Sequence, residues 1–305
     1  MVLTALATAA LLASSMPVVA TPHAATAETA PASNVDVVGI DRDMHNRMTV
    51  PVRIGKLGPF DFLIDTGAER TVLARSVAVK LGLSPTSRGT LIGVAGTQAV
   101  DLVEVDEINL GKRSFYSLTA PLLEEEWLGA DGIIGLDSLQ GQRVLLDFKA
   151  GRMAIGNVAE LGGTRGFEIV VQARRRSGQL IMTDALIDGV HTDIIIDTGS
   201  DTSIGNRALQ RALSRRHKVE TTQLLSVTGQ TITADIGMAR ELKLGQLTVN
   251  NTALAFADAP PFERLGLVKR PALLLGMTQL RLFQRVAIDF AARRVLFDLP
   301  ADVVL

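Results

Sequence analysis

Twice along this chain a run of aliphatic residues stops at Asp-Thr-Gly: Phe62-Leu63-Ile64-Asp65-Thr66-Gly67-Ala68, and again Ile194-Ile195-Ile196-Asp197-Thr198-Gly199-Ser200. A short continuous apolar run reads as a buried strand. A Gly next but one after the acid lets the chain turn sharply. Each motif therefore sets a carboxylate at a strand end, and two such ends in one chain can face each other.

The two motifs belong to a longer internal repeat. Asp65 maps to Asp197 at an offset of 132, Gly96 to Gly229 at 133, and Glu107-Ile108-Asn109-Leu110-Gly111 to Glu241-Leu242-Lys243-Leu244-Gly245 at 134. Ile133-Ile134-Gly135 then maps to Leu274-Leu275-Gly276 at 141, and Arg143-Val144-Leu145-Leu146-Asp147-Phe148 to Arg285-Val286-Ala287-Ile288-Asp289-Phe290 at 142. The order never breaks, so the chain carries two copies of one long unit, which implies two lobes rather than a solenoid. Each copy reads as short strands punctuated by Gly, Pro, Asn and Asp, with little helical periodicity. Met48 to Arg53 and Phe60 to Ile64 flank the turn Gly55-Lys56-Leu57-Gly58-Pro59. In the second copy Leu180 to Ile187 and Thr192 to Ile196 flank Asp188-Gly189. A short helix is expected after each motif, over Ala74 to Leu81 and Asn206 to Arg216. The expected organisation is a first lobe over 45–157, a linker over 158–166 and a second lobe over 167–305.

Composition narrows the function. With 305 residues and 47% hydrophobic content the chain can build two ordinary cores. The 31 basic residues balance 32 acidic ones, so the overall charge points to no nucleic-acid partner and no anionic surface. Aromatic residues, at 4%, are too few for a base-stacking platform. The absence of cysteine removes thiolate metal sites and cysteine nucleophiles. Residues 1–25 read as a signal peptide: Val2 to Ala13 is apolar, and Val18 and Ala20, or Ala24-Ala25, suit cleavage. The basic n-region is missing, and an uncleaved membrane anchor is the alternative. Residues 26–44 form an N-terminal extension. The expected location is periplasmic or secreted, with membrane contact only if the first segment stays uncleaved.

The residues of the repeat resemble the retropepsin-like and pepsin-like aspartic peptidases. The likeness covers nearly all of residues 45 to 299: the hairpin, Asp-Thr-Gly-Ala or Asp-Thr-Gly-Ser, a Gly-bearing flap candidate and an apolar-apolar-Gly motif in each copy. It implies a mainly β, bilobal acid-protease fold of two homologous retropepsin-like β-barrel domains in one chain, working as a monomer on a polypeptide substrate without cofactor or metal. It assigns Asp65 and Asp197 as the catalytic pair, with Thr66, Gly67, Ala68, Thr198, Gly199 and Ser200 supporting the two loops. It also implies that Thr66 and Thr198 bond across the lobe interface, and that Ile133-Ile134-Gly135 and Leu274-Leu275-Gly276 thread beside the loops. Flap residues would be Val94, Ala95 and Gly96 in the first copy and Thr228 and Gly229 in the second. No tyrosine lies in either flap segment.

In such peptidases two carboxylates about 3 Å apart cannot both ionise, so one acts as base toward a water and the other as acid toward the scissile carbonyl. The sequence leaves open which Asp holds the proton, because a coupled pair titrates as a unit. Ser200 stands where the first copy has Ala68. A Ser200 hydroxyl bonded to Asp197 would favour Asp197 as the base. Asp147 and Asp289 are expected to cap turns. His23, His45, His191 and His217 have no metal-ligand spacing, and Arg174-Arg175-Arg176 is expected in a solvated hairpin loop. The rival functions are a peptide-binding module that has lost catalysis and an interaction scaffold on the same fold.

Overall fold

The alternating pattern of Met48 to Ile54, with Val50, Val52 and Ile54 buried and Pro51 and Arg53 exposed, makes a strand with one face on a core. The computed structural model describes residues 36–39, 41–42, 47–213 and 220–299. The expected signal segment, His23, His45, His217 and the end of the second helix lie outside these residues.

In chain order the first half contains β1 (Asp36–Gly39), β2 (Asp41–Arg42), β3 (Met48–Ile54), β4 (Leu57–Ile64), β5 (Val72–Ala74), α1 (Arg75–Lys80), β6 (Ser87–Gly93) and β7 (Gly96–Leu110). It continues with β8 (Arg113–Leu123), α2 (Glu125–Leu128), β9 (Gly132–Ile134), α3 (Leu136–Leu139), β10 (Arg143–Asp147) and β11 (Arg152–Gly156). The second half repeats the plan in β12 (Ile169–Arg176), β13 (Gln179–Ile187), β14 (Val190–Ile196), β15 (Ile204–Gly205), α4 (Arg207–Leu213), β16 (Glu220–Leu225) and β17 (Thr231–Leu244). It ends with β18 (Leu247–Phe256), α5 (Pro260–Arg264), β19 (Ala272–Leu275), α6 (Met277–Leu280), β20 (Arg285–Asp289) and β21 (Arg294–Asp298). The protein is mainly β, in two similar halves.

In each half the strand pairing returns on itself. The first runs β3-β4-β9-β5-β8-β7 and back to β3; the second runs β13-β14-β19-β15-β18-β17 and back to β13. Strand β4 is parallel to β9, and β14 to β19, so both strands that lead into Asp-Thr-Gly are interior strands. That position explains why they are apolar without alternation. Phe62, Leu63, Ile64, Ile194, Ile195 and Ile196 are all at most 3% exposed. Each such side chain contributes roughly 1.5–3 kcal/mol by leaving water.

The two halves share a ladder of their own, β1-β11-β10-β20-β21-β12. At its centre β10 pairs with β20, placing Arg143 opposite Asp289. Arg143 Nη2 lies 2.7 Å from Asp289 Oδ2 with both side chains fully buried. Strand β1 belongs to this ladder although it precedes residue 45. The acids expected to cap turns do so: Asp147 Oδ1 accepts the Ala150 N–H and Asp289 Oδ1 the Ala292 N–H, both at 2.8 Å. His191 is exposed. Two local expectations need correction. Leu57, Gly58 and Pro59 are the start of β4 and not part of the turn, which is Gly55-Lys56. Arg174, Arg175 and Arg176 end strand β12 instead of sitting in the loop, because they pair with Ile181, Leu180 and Gln179 of β13.

Candidate active site

Both Asp-Thr-Gly loops follow interior strands into the space between the halves, where their threonines tie them together. The Thr66 N–H donates to Thr198 Oγ1 at 3.0 Å and its hydroxyl to the Ile196 carbonyl at 2.8 Å. Thr198 returns both bonds, its N–H to Thr66 Oγ1 at 3.3 Å and its hydroxyl to the Ile64 carbonyl at 2.6 Å. These groups are buried, so a missing partner would leave a polar atom unsatisfied at about 1–3 kcal/mol. The Asp65 N–H donates to the Ile134 carbonyl at 3.1 Å and the Asp197 N–H to the Leu275 carbonyl at 3.0 Å. The two apolar-apolar-Gly strands thus hold the loops at the point where each acid begins.

The carboxylates converge. A Cβ placed on Gly199 would lie 2.3 Å from Asp65 Oδ2, and one on Gly67 would lie 2.9 Å from Asp197 Oδ1 and 3.1 Å from Asp65 Oδ1. Each glycine therefore passes under the acid of the opposite loop, where no side chain fits. The Gly67 and Ala68 N–H groups donate to Asp65 Oδ1 at 2.7 and 3.0 Å. Asp197 Oδ1 accepts the Gly199 N–H at 3.1 Å.

Asp65 and Asp197 lie in a cleft of about 560 Å³ that both halves line. Its roof is a pair of hairpins, β6–β7 and β16–β17. Val94 borders the cleft, whereas Ala95, Gly96, Thr228 and Gly229 belong to the hairpin tips and do not line it. The tips meet each other: a Cβ on Gly96 would lie 2.9 Å from Gln230 Oε1, and one on Gly93 2.7 Å from Ser226 Oγ. Gly229, at φ 77°, lies against Trp127 of α2, whose Nε1 would be 2.9 Å from an added Cβ. Helix α5 of the second half packs in turn against β6 of the first. Ile92 and Leu225, equivalent in the repeat, are 44% and 48% exposed and line the cleft from the two hairpins.

A model of the aspartyl protease family matches residues 50–138 and 183–278, one stretch in each half. The chain belongs to that family. No curated protein sequence matches it. The matched stretches hold both Asp-Thr-Gly loops, both hairpins and both apolar-apolar-Gly strands.

The two acids are electrically unequal. Burial raises Asp65 above the usual carboxylate range, and the Gly67 and Ala68 N–H groups pull it back. Asp197 is pushed up to about 7, first by burial and then by the charge of Asp65. The Ser200 hydroxyl donates to the Thr202 carbonyl at 2.8 Å. The expected bond from Ser200 to Asp197, and with it the reason for making Asp197 the base, is therefore absent: the hydroxyl satisfies its own loop.

Sequence reasoning missed several residues that the fold brings to the cleft. Arg47 is buried, donates to the Leu128 carbonyl, and its charge lowers both acids. Gln179 Nε2 donates to the Gly67 carbonyl at 2.6 Å. These two residues stand 18 positions before their respective acids, so the repeat offset of 132 was a signal for both. Glu69 and Arg264 form a two-point ion pair between the halves, at 3.0 and 3.2 Å, and both border the cleft. Among the described residues, no group of three or more His, Asp or Glu is placed to hold a metal, and no helix is long and apolar enough to cross a membrane.

Proposed function

We propose that this aspartyl protease is an endopeptidase that hydrolyses peptide bonds in an extended polypeptide through Asp65 and Asp197, acting as an exported monomer on other exported polypeptides. The observation that carries the reading is the close approach of each loop glycine to the opposite carboxylate. It brings the two acids, Asp197 buried and Asp65 partly exposed, together beneath the paired hairpins. Asp65, whose negative charge helps raise its neighbour, is the ionised base, and Asp197 holds the shared proton.

In the reaction a water gives its proton to Asp65 as its oxygen bonds to the scissile carbonyl carbon. Asp197 gives its proton to the carbonyl oxygen. The tetrahedral diol then collapses. Its hydroxyl returns a proton to Asp197, the C–N bond breaks, and the proton on Asp65 goes to the leaving nitrogen. Both acids end as they began, with no covalent intermediate. An extended substrate suits the cleft because the hairpin strands offer main-chain partners, while Ile92 and Leu225 favour apolar side chains beside the scissile bond.

The test is cleavage of a diverse peptide library by the full chain over a pH series, with Asp65→Asn and Asp197→Asn in parallel. Loss of cleavage in both variants, by about 10²–10⁴-fold or more, is expected for a shared acid and base. Peptide binding without cleavage by the unaltered chain would replace the peptidase with a binding module. Export is tested by fractionating cells that express the full chain; retention with cytoplasmic markers would end that part of the proposal.

A further inference from the structure

The charges that line the cleft do not follow the two-fold repeat. Four residues after each catalytic Asp stands another acid, Glu69 in the first half and Asp201 in the second. Both are neutralised. Glu69 pairs with Arg264 of the opposite half at 3.0 Å, and Asp201 with Arg281 of its own half at 3.1 Å. One position further on the halves diverge, with Arg70 in the first and Thr202 in the second. Arg70 is exposed, borders the cleft, and makes no hydrogen bond or ion pair among the described residues. Eighteen residues before each acid the divergence recurs, as Arg47 against Gln179, and both of these line the cleft as well.

The first half thus sets two guanidinium groups where the second sets a hydroxyl and an amide. Arg47 lies near enough to the catalytic pair to offset part of its single negative charge, which leaves Arg70 as the uncompensated cation. Positions related by the repeat lie on opposite sides of the catalytic pair. A peptide crossing the pair therefore meets Arg70 on one side of its scissile bond and Thr202 on the other.

We infer that the substrate carries an acidic side chain on one side only of the scissile bond, where Arg70 holds its carboxylate. This rests on the peptidase reading above. A guanidinium recognises a carboxylate through paired N–H donors in one plane, which neither a threonine nor a solvated lysine reproduces. Arg47 adds to the positive potential of the same half. The requirement is directional, because Thr202 offers no charge to the other side.

The test uses the full chain and short peptides with two central leucines, in which a single Gln is exchanged for Glu at each position on either side. The expected kcat/KM ratio of the Glu to the Gln peptide is about fivefold at one position on one side, shrinking as salt is added. Arg70→Thr should bring that ratio to about one, and Thr202→Arg should create a second acidic preference on the opposite side. Equal rates for Glu and Gln peptides at every position, or a preference that survives Arg70→Thr, would overturn the inference. The same peptides are titrated against the Asp65→Asn chain, read by the fluorescence of Trp127, the only tryptophan and a residue of the cleft wall. Tighter binding of the Glu peptide, lost in Asp65→Asn combined with Arg70→Thr, supports the acidic site even if no peptide is cut, an outcome that would end the peptidase reading alone. Equal affinities of Glu and Gln peptides for Asp65→Asn would end the acidic site.

Discussion

The two halves of the protein agree in their framework and differ in their electrical surroundings. Thr66 and Thr198 exchange the same pair of hydrogen bonds, and Ile134 and Leu275 receive the N–H groups of the two acids at nearly equal distances. Away from the acids some ion pairs repeat, as Arg75 with Asp101 and Glu124 against Arg207 with Asp235 and Asp258, but beside the acids the charged positions do not. Arg47 stands opposite Gln179, and Arg70 opposite Thr202. Hydrogen bonds that fix geometry must satisfy both loops at once, so they tolerate little divergence. Charges around the rim act through space and can drift apart in one chain. A site made from two identical chains has no such freedom.

The comparison can be broken hardest at the loop glycines. Gly199→Ala should lower kcat/KM by at least about 10²-fold, and by more than Gly67→Ala, since its added Cβ would meet Asp65 at 2.3 Å against 2.9 Å from Asp197 for the other. Equal losses in a steady-state assay would remove the inequality. The difference between the acids appears next in stability against pH. Asp197 is raised to about 7, so the folded protein holds a proton that the unfolded chain releases near pH 4. That contribution is complete below pH 4 and fades as pH rises through 7, by up to about 4 kcal/mol. Urea unfolding of Asp197→Asn should show a flatter profile and greater stability than the parent above pH 7; parallel profiles would refute the raised acid.

The inter-lobe ladder sharpens the contrast further. Arg143→Met leaves Asp289 fully buried without its closest partner and should cost about 3–5 kcal/mol in urea unfolding. Arg285→Met, at the equivalent and more exposed position, should cost about 1 kcal/mol. The smallest expected effect belongs to Ser200→Ala. Because its hydroxyl serves Thr202, the pH profile of cleavage should stay where it is. A shifted acid limb would restore a link between that hydroxyl and Asp197.

What the sequence revealed follows the same division. The placement of Asp65, Asp197, Thr66 and Thr198 was legible because it comes from local backbone geometry, repeated twice. The hairpins were legible from their glycines. Trp127 and Arg264 were not, because α2 and α5 serve the opposite half and no local pattern marks a contact made across a cleft. The orientation of Ser200 was misread for a different reason: adjacency to Asp197 says nothing about direction, and a serine in a tight loop often bonds to a nearby carbonyl. Strand β1 escaped notice because its pairing partner, β11, lies more than a hundred residues away.

The central pair of strands in the inter-lobe ladder has one more property. In its register Arg143 faces Asp289 and Arg285 faces Asp147. The repeat equates Arg143 with Arg285 and Asp147 with Asp289, so strand β10 laid antiparallel on a second β10 would set arginine against aspartate at both ends. The edge is complementary to itself, which is what a two-fold interface requires. The seam of this single chain therefore has the chemistry of a homodimer interface, and the buried pair now joining two domains would serve equally to join two separate ancestors.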